Sequence, residues 1–470
     1  MINAHFQHKF VIMKTLSGIQ YCALGAVEGI GASAHYLKFD RWGILLDSGL
    51  DPHLPPSEGM PEFDLIKSDP VDAIIITHAH FDHIGSLPVA IQNFSQARVY
   101  MTPATMELTE KMLFHALQLQ RRLGNSNATQ LYDETFLDTI HYLYQTFDYL
   151  KPFPLHGKEE SQLRFTFYDA GHILGSAGIL IEWKGKRIFY TGNTRKSSQF
   201  ILKGARYPEP PIDILISEAT YGADPIAESI HRKTEIRRFA KRLSQHLQWG
   251  GIVLLPVFAL GRTQEMIMLI HQLRLKNQIP VVPVYLGGLG LRINQIYDRL
   301  LHKVYPEYNH GTIRSMVFDR WDLSKKIQGP AILISTSGMM YQGSPSFEYA
   351  RELVSSPRNA IFFVGYADPE TPAGLFREQR IEALTQLLQV ERIACAVEIF
   401  HFSAHSHRRE LLAMVKKMKP KKVIYVHGDA PALKWMLEET QKMLPDSEVI
   451  IPPHGKRIDL LPSPGGRSLC

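Results

Sequence analysis

Cysteine is scarce in this chain. Cys22, Cys395 and Cys470 are spread over 470 residues, odd in number and with no C-x-x-C pair. No disulfide framework is expected, and a reducing, cytoplasmic setting fits. No apolar run reaches the ~18 residues of a membrane-spanning helix, so no membrane association is expected. Residues 1–12 carry His5, His8 and Lys9 and no apolar core ahead of a small-residue cleavage site, so no signal peptide is expected. There is no repeat of fixed period and no low-complexity tract. Charge of one sign is not in large excess: the net value is +6, compatible with a polyanionic partner without demanding one. The small basic clusters at 184–187, 237–242 and 416–422 fit solvated helix faces. The Gly-rich turn at 25–31 has no lysine after it, which argues against a phosphate-binding P-loop and for a hairpin turn.

What the chain does have is an ordinary globular composition, 45% hydrophobic and 21% charged, and a length beyond one comfortable core, so two domains are expected. It also has histidine in one conspicuous place. A strand-like run over 71–77 ends directly at His78, His80, Asp82 and His83, and a helix-like run over 84–94 follows. In extended chain His78 and His80 point the same way, and the turn into the helix lets Asp82 and His83 reach the same hollow. Three imidazoles and a carboxylate at this spacing suit a divalent transition metal, most simply zinc.

Elsewhere the pattern predicts strands at 19–24, 33–39, 43–46, 163–169, 178–183, 187–191 and 212–217. Helix is expected over 103–122. A second amphipathic stretch covers 131–147, whose aromatics (Tyr132, Phe136, Tyr142, Tyr144 and Phe147) are expected in the core. From about residue 225 the pattern changes to alternating helix and strand, with strands at 252–256, 280–286, 331–335 and 359–366. This βαβ rhythm implies an α/β unit with a largely parallel sheet. Strands at 395–400 and 422–426 follow, each leading to a histidine, and the tail after Pro452 looks loose.

One regularity unites these segments. Asp47, the His78–His83 cluster, His172, Asn193, Glu218, His405 and His427 each lie at, or a few residues past, the end of an expected strand. Strands packed in one sandwich deliver such positions to one rim. Singly each has an ordinary explanation; Asp47, for example, could cap a turn or support a ligand histidine. Jointly the coincidences are improbable.

With these motifs the sequence resembles the metallo-β-lactamase superfamily and, within it, the β-CASP nucleases. The H-x-H-x-D-H motif stands as His78, His80, Asp82 and His83, and His172 lies in "GHILGSAG". "PVFALGRTQE" (256–265), "STSGMM" (335–340) and "GYADPETPAG" (365–374) are similar to the β-CASP insertion. Glu218 in "SEATYG", His405 in "FSAHSH" and His427 in "VHGD" resemble its three later motifs. The resemblance implies an αββα sandwich over 1–221 and 386–470, interrupted by a β-CASP α/β domain over 222–385.

The resemblance also implies chemistry. His78, His80 and His172 would hold one zinc ion; Asp82, His83 and His427 would hold a second, which a poor bridge at Asn193 could weaken. Asp47 would steady a ligand histidine. Asp82, His405 and Glu218 would be catalytic, with His405 as general acid for a phosphodiester leaving group and Glu218 orienting it. Ser335, Ser337 and Gly338 would bind a phosphate. The implied substrate is single-stranded RNA threaded between the domains, and a homodimer is the implied assembly.

At position 193 the family has an aspartate bridging two metals, and an amide offers one neutral oxygen where a carboxylate offers two anionic ones. Three accounts of Asn193 stay open: an engineered inactivating change, a natural residue with activity retained, or a non-catalytic RNA-binding protein. A small-molecule hydrolase on the same scaffold is a further alternative, which the long insertion argues against.

Overall fold

The computed structural model describes residues 18–461 apart from 52, 56, 123–130, 310, 315, 317–318 and 321–326. Residues 1–12 and Cys470 lie outside the described residues. Strand periodicity builds the sandwich. In Ile19–Gly25 the side chains of Ile19, Tyr21 and Ala23 enter one core, while Cys22 and Leu24 enter another on the opposite face. Lys422–Val426 does the same with Ile424 and Val426 against Val423 and Tyr425. Two seven-stranded sheets built this way face each other, each with helices on its outer side. The first runs from Arg457–Leu461 through Ile19–Gly25, Ala34–Phe39, Trp42–Leu46, Ala73–Ile75 and Arg98–Met101 to Tyr144–Thr146. The second runs from Glu448–Ile450 through Lys422–Val426, Ile214–Glu218, Lys186–Tyr190, Ala177–Trp183 and Arg164–Asp169 to Phe153–Pro154.

The insertion carries a third sheet of six parallel strands, in the order Asp319–Arg320, Val284–Gly287, Ala331–Ser335, Ile252–Pro256, Ala360–Phe363 and Ala396–Ile399. Its strands are short apolar runs buried on both faces, as parallel sheets require. Ala396–Ile399 belongs to this sheet, so the chain returns to the sandwich after Phe400 rather than at residue 386. Among the described residues, no helix is long and apolar enough to cross a membrane.

Three local expectations change. The stretch 131–147 is not one helical element: Glu134–Ile140 is helical, and Tyr144–Thr146 pairs with Arg98–Met101 as an edge strand. Tyr142 on the connecting turn is 79% exposed, not core. The tail is held as far as Leu461, because Arg457–Leu461 pairs antiparallel with Ile19–Gly25.

The insertion docks on the sandwich through the helix Gly290–Val304, which packs on Pro103–Arg122. A cavity of about 490 Å³ at this seam is lined by Thr102, Asp169, Lys203, Arg206, Lys303 and Tyr305, among others. Burial raises the Asp169 carboxyl from 3.8 to about 6, although the Tyr305 hydroxyl and Gly171 N–H donate to it. A folded pKa above the unfolded one means that folding stability falls as pH rises from about 4 through about 6. That shift corresponds to an order of 3 kcal/mol above neutral pH. Asp169→Asn is therefore expected to gain thermal stability relative to the parent as pH goes from 4.5 to 8. A difference in melting temperature that is flat with pH would contradict this.

Candidate metal centre

The centre forms where strands of both sheets end. Ala73–Ile75 delivers His78 and His80, and the single helical turn Phe81–Ile84 delivers Asp82 and His83. Arg164–Asp169 leads to His172, Lys186–Tyr190 to Asn193, and Lys422–Val426 to His427. Gly192, with φ +52°, lies against the Thr77 side chain, where a Cβ would stand 2.9 Å from it; only glycine lets Asn193 follow. Asp47 (φ 60°) and His427 (φ 55°) also adopt the left-handed backbone that non-glycine residues avoid, a strain that clusters at functional sites.

The structure brings the expected ligands together as two triads. His78, His80 and His172 form one, and Asp82, His83 and His427 the other; within each triad the ligand atoms lie within 4.8 Å of one another. His172 Nε2 is 3.0 Å from His80 Nδ1, and His427 Nε2 is 3.2 Å from both His83 Nε2 and Asp82 Oδ2.

The outer nitrogens decide what the inner ones can do. His172 Nδ1 donates to the Ala404 carbonyl (3.0 Å) and His80 Nε2 to the Leu260 carbonyl (3.4 Å). His83 Nδ1 donates to Asp47 Oδ2 at 2.8 Å. Thr77 donates its hydroxyl to Asp47 and so accepts from His78 Nδ1 at 3.0 Å. Thr220 donates to Glu218 and so accepts from His427 Nδ1 at 3.1 Å. Every outer nitrogen is thus tied to an acceptor, which leaves the inner nitrogen as the one that can ligate a metal.

The neutral rings of His172 and His80 face each other with lone pairs 3.0 Å apart, which repel unless a cation lies between them. His78 Nε2 and Asn193 Oδ1 are buried with no hydrogen-bond partner, as ligand atoms would be. The donor set fits two divalent ions.

Electrostatics agree. Burial holds His78 and His172 well below the usual imidazole range and His80 at about 4, so these rings are neutral and able to ligate. Burial also depresses His83, but Asp82 and Asp47 more than offset it and raise its pKa to about 10. Those two carboxylates call for positive charge at that position, whether a proton or a metal ion supplies it.

Asp47 is fully buried and does more than the sequence suggests. It accepts from Thr77 N (2.7 Å), Thr77 Oγ1 and Tyr190 Oη (2.9 Å) as well as from His83. It therefore orients His83 directly and His78 through Thr77. Glu218 is equally buried: the Thr194 N–H and the Thr220 hydroxyl donate to it, and its Oε2 is 2.8 Å from His405 Nδ1. Burial alone would raise the Glu218 carboxyl, but His405 and these donors hold it below the usual range. The His405 side chain is 18% exposed, and its ring centroid lies 4.5 Å from that of His172. Asn193 Nδ2 sits 3.2 Å from His83 Nε2.

The expected phosphate site is smaller than the motif implies. Ser335 is completely buried, with its hydroxyl turned to the Thr336 carbonyl, so it does not face the cleft. Ser337 is half-buried and accepts from Met339 N at 3.2 Å, leaving its own proton free to donate.

Sequence reasoning missed Thr77, Tyr190, Thr194 and Thr220. It also missed the clamp that joins the insertion to the centre. Arg262, buried at the start of the helix Arg262–Leu275, donates to the Phe402 carbonyl and to Gln199 Oε1. Gln199 Nε2 in turn donates to the carbonyls of Gly171 (2.7 Å) and His172 (2.8 Å). The insertion thereby fixes the loop that carries His172.

Three domain families match in succession. Residues 36–218 match the metallo-beta-lactamase superfamily domain, 263–374 the Beta-Casp domain, and 390–455 the Zn-dependent metallo-hydrolase RNA specificity domain. Cleavage and polyadenylation specificity factor 73 of Drosophila melanogaster is 30% identical over 423 residues, 87% of this chain and 60% of the fly protein. An RNase J-like protein of Methanocaldococcus jannaschii is 30% identical over 416 residues, 86% of this chain and 91% of the archaeal one. Transcription termination factor FttA of Methanosarcina mazei is 28% identical over 449 residues, 88% of this chain and 67% of that protein. A crystal structure of a protein of unknown function from Enterococcus faecalis V583 shares the fold, with a TM-score of 0.57 at 14% identity over 94% of this chain and 100% of that one. With its identity to the M. jannaschii protein covering most of both chains, and with all three domains in register, this chain belongs to the β-CASP nuclease family of the metallo-β-lactamase superfamily.

Proposed function

We propose that this chain is a zinc-dependent hydrolase that cleaves phosphodiester bonds in single-stranded RNA. The observation that carries this reading is the set of five imidazoles whose outer nitrogens are all tied to acceptors and whose inner lone pairs converge in two triads, next to the His405–Glu218 pair. The matched RNA specificity domain and relatives named as a cleavage and polyadenylation factor and an RNase J-like protein support RNA as the substrate.

His78, His80 and His172 are assigned one ion, and Asp82, His83 and His427 the other, with Asn193 as a neutral neighbour. When bound, the ions supply Lewis acidity at the scissile phosphate and make water nucleophilic at neutral pH. The chain does the rest. Asp47 and Thr77 keep His83 and His78 in the ligating tautomer. Glu218 holds His405 by Nδ1, so Nε2 is the atom that delivers a proton to the leaving oxygen. Ser337 and the Gly338 turn receive a neighbouring phosphate.

The test is cleavage of an end-labelled single-stranded RNA by the zinc-loaded chain. Cleavage is expected to need metal, to stop with EDTA, and to spare a duplex of the same sequence. Asn193 favours one other reading, an RNA-binding protein without turnover. Salt-sensitive RNA binding with no cleavage after zinc loading would establish that reading and overturn this one.

A further inference from the structure

Three large aromatic side chains are left exposed on one rim of the insertion. Phe258 is 37% exposed, Tyr341 40% and Tyr366 43%. Each follows the carboxyl end of one of three adjacent parallel strands, Ile252–Pro256, Ala331–Ser335 and Ala360–Phe363. That is the edge at which parallel sheets bind ligands.

The rim borders the metal centre. The Leu260 carbonyl, two residues beyond Phe258, lies 3.4 Å from His80 Nε2. The Tyr221 ring centroid is 5.9 Å from that of His405. The rings have built supports. Phe258 lies against the Gly338 turn, where a Cβ would stand 3.3 Å from its ring carbon. Phe258, Gly338 and Tyr366 line one depression with Arg262. Arg377 Nη1 donates to the Gly365 carbonyl at 2.9 Å, bracing the turn that carries Tyr366. Across the cleft, His53 of the sandwich comes within 3.7 Å of Asp368, two residues after Tyr366.

Rings exposed on braced turns beside a hydrolytic centre suit flat apolar ligands presented in a row. We propose that Phe258, Tyr341 and Tyr366 form a stacking subsite for the unpaired nucleobases that flank the scissile phosphate. The proposal rests on the ribonuclease reading and deepens it. Discrimination against duplex RNA arises here, because paired bases have no free face to stack.

The test measures binding of fluorescein-labelled 12-nucleotide RNA in the His405→Ala background, so that RNA is not consumed. The RNA is either intact or carries one abasic ribose at each position in turn. Phe258→Ala, Tyr341→Ala and Tyr366→Ala are each expected to weaken intact RNA by roughly tenfold. An abasic ribose at the matching position weakens the parent by a similar factor and the variant no further. Phe258→Trp restores binding, which separates lost stacking from a collapsed turn. Zinc content of the same variants is expected to match that of the parent, which shows that the centre itself is intact. Abasic RNA bound as tightly as intact RNA, additive losses, or duplex bound as tightly as single strand would each overturn the subsite. If the parent binds single strands with these signatures but cleaves nothing, the ribonuclease reading fails and the subsite stands.

Discussion

Replacing His405 by alanine is expected to lower the turnover of single-stranded RNA by a factor of about 10²–10⁴, the range a positioned general acid contributes. The chain should keep its bound zinc and its affinity for RNA. The expectation follows from where His405 stands. Its Nδ1 is occupied by Glu218, it belongs to neither triad, and its side chain is exposed enough to meet substrate. Its ring centroid nevertheless lies 4.5 Å from that of the ligand candidate His172, beside the centre where a leaving oxygen would depart. The diagnostic comparison is between leaving groups. An RNA 3′- or 5′-oxygen needs a proton as it departs, and p-nitrophenolate does not. The variant should therefore lose far less on a p-nitrophenyl phosphodiester than on RNA. Equal losses on both, or loss of zinc, would remove His405 from the acid role. Glu218 is a poorer place to make the same test. It contacts His405, Thr194 and Thr220, and Thr220 contacts the ligand His427, so Glu218→Gln disturbs proton delivery and metal binding together.

How much of this centre the sequence discloses depends on the distance over which each residue acts. His78, His80, Asp82 and His83 form a cluster in the primary sequence, and Asp47, His172, Asn193, Glu218, His405 and His427 share the strand-end position, so all ten were legible. Thr77, Thr220 and Tyr190 were not. A threonine beside a ligand has no signature of its own, and the partner that gives Thr220 its role lies 207 residues further on. Tyr190 reads as one more apolar strand residue until its hydroxyl is seen on Asp47, 143 residues away. The Arg262–Gln199–His172 clamp is invisible for the same reason: Arg262 sits inside a recognisable motif, but its two acceptors lie 63 and 140 residues away.

The misread segments have local causes. Tyr144–Thr146 is a three-residue edge strand, too short to show alternation, and its pairing is supplied by Arg98–Met101. Ser335 belongs to a motif, yet it is the last buried residue of a parallel strand, so its position in the sheet rather than its chemistry decides its exposure. The reverse holds at Arg457–Leu461, where polar alternation among prolines reads as loose chain. The structure uses it as the edge that closes the first sheet against Ile19–Gly25.

The Asn193→Asp variant is expected to bind its second zinc ion about 10–100 times more tightly than the parent, the scale on which single groups at a metal site act, and to cleave RNA faster. The present side chain is 3% exposed, with Nδ2 at 3.2 Å from His83 Nε2 and a buried Oδ1 that has no partner. A donor nitrogen placed there points N–H groups at the region where Asp82, His83 and His427 converge, and it adds no charge. An aspartate in the same rotamer replaces those N–H groups with a second anionic oxygen. It also adds one negative charge beside a cluster that already has Asp82 and, behind His83, Asp47 to balance an ion. The cost without metal is a further buried carboxylate, so the metal-free variant should be less stable than the metal-free parent, and zinc should raise its melting temperature more. Competition against a chelator of known affinity, with one and two equivalents of zinc, reads the binding directly. Cleavage of single-stranded RNA at saturating zinc reads the second consequence. If zinc stoichiometry and affinity are unchanged by the substitution, residue 193 is not part of the metal site, however close it lies to His83. If zinc binds more tightly but RNA still is not cut, the second ion was not what limited the parent, and the non-catalytic account of Asn193 gains the argument.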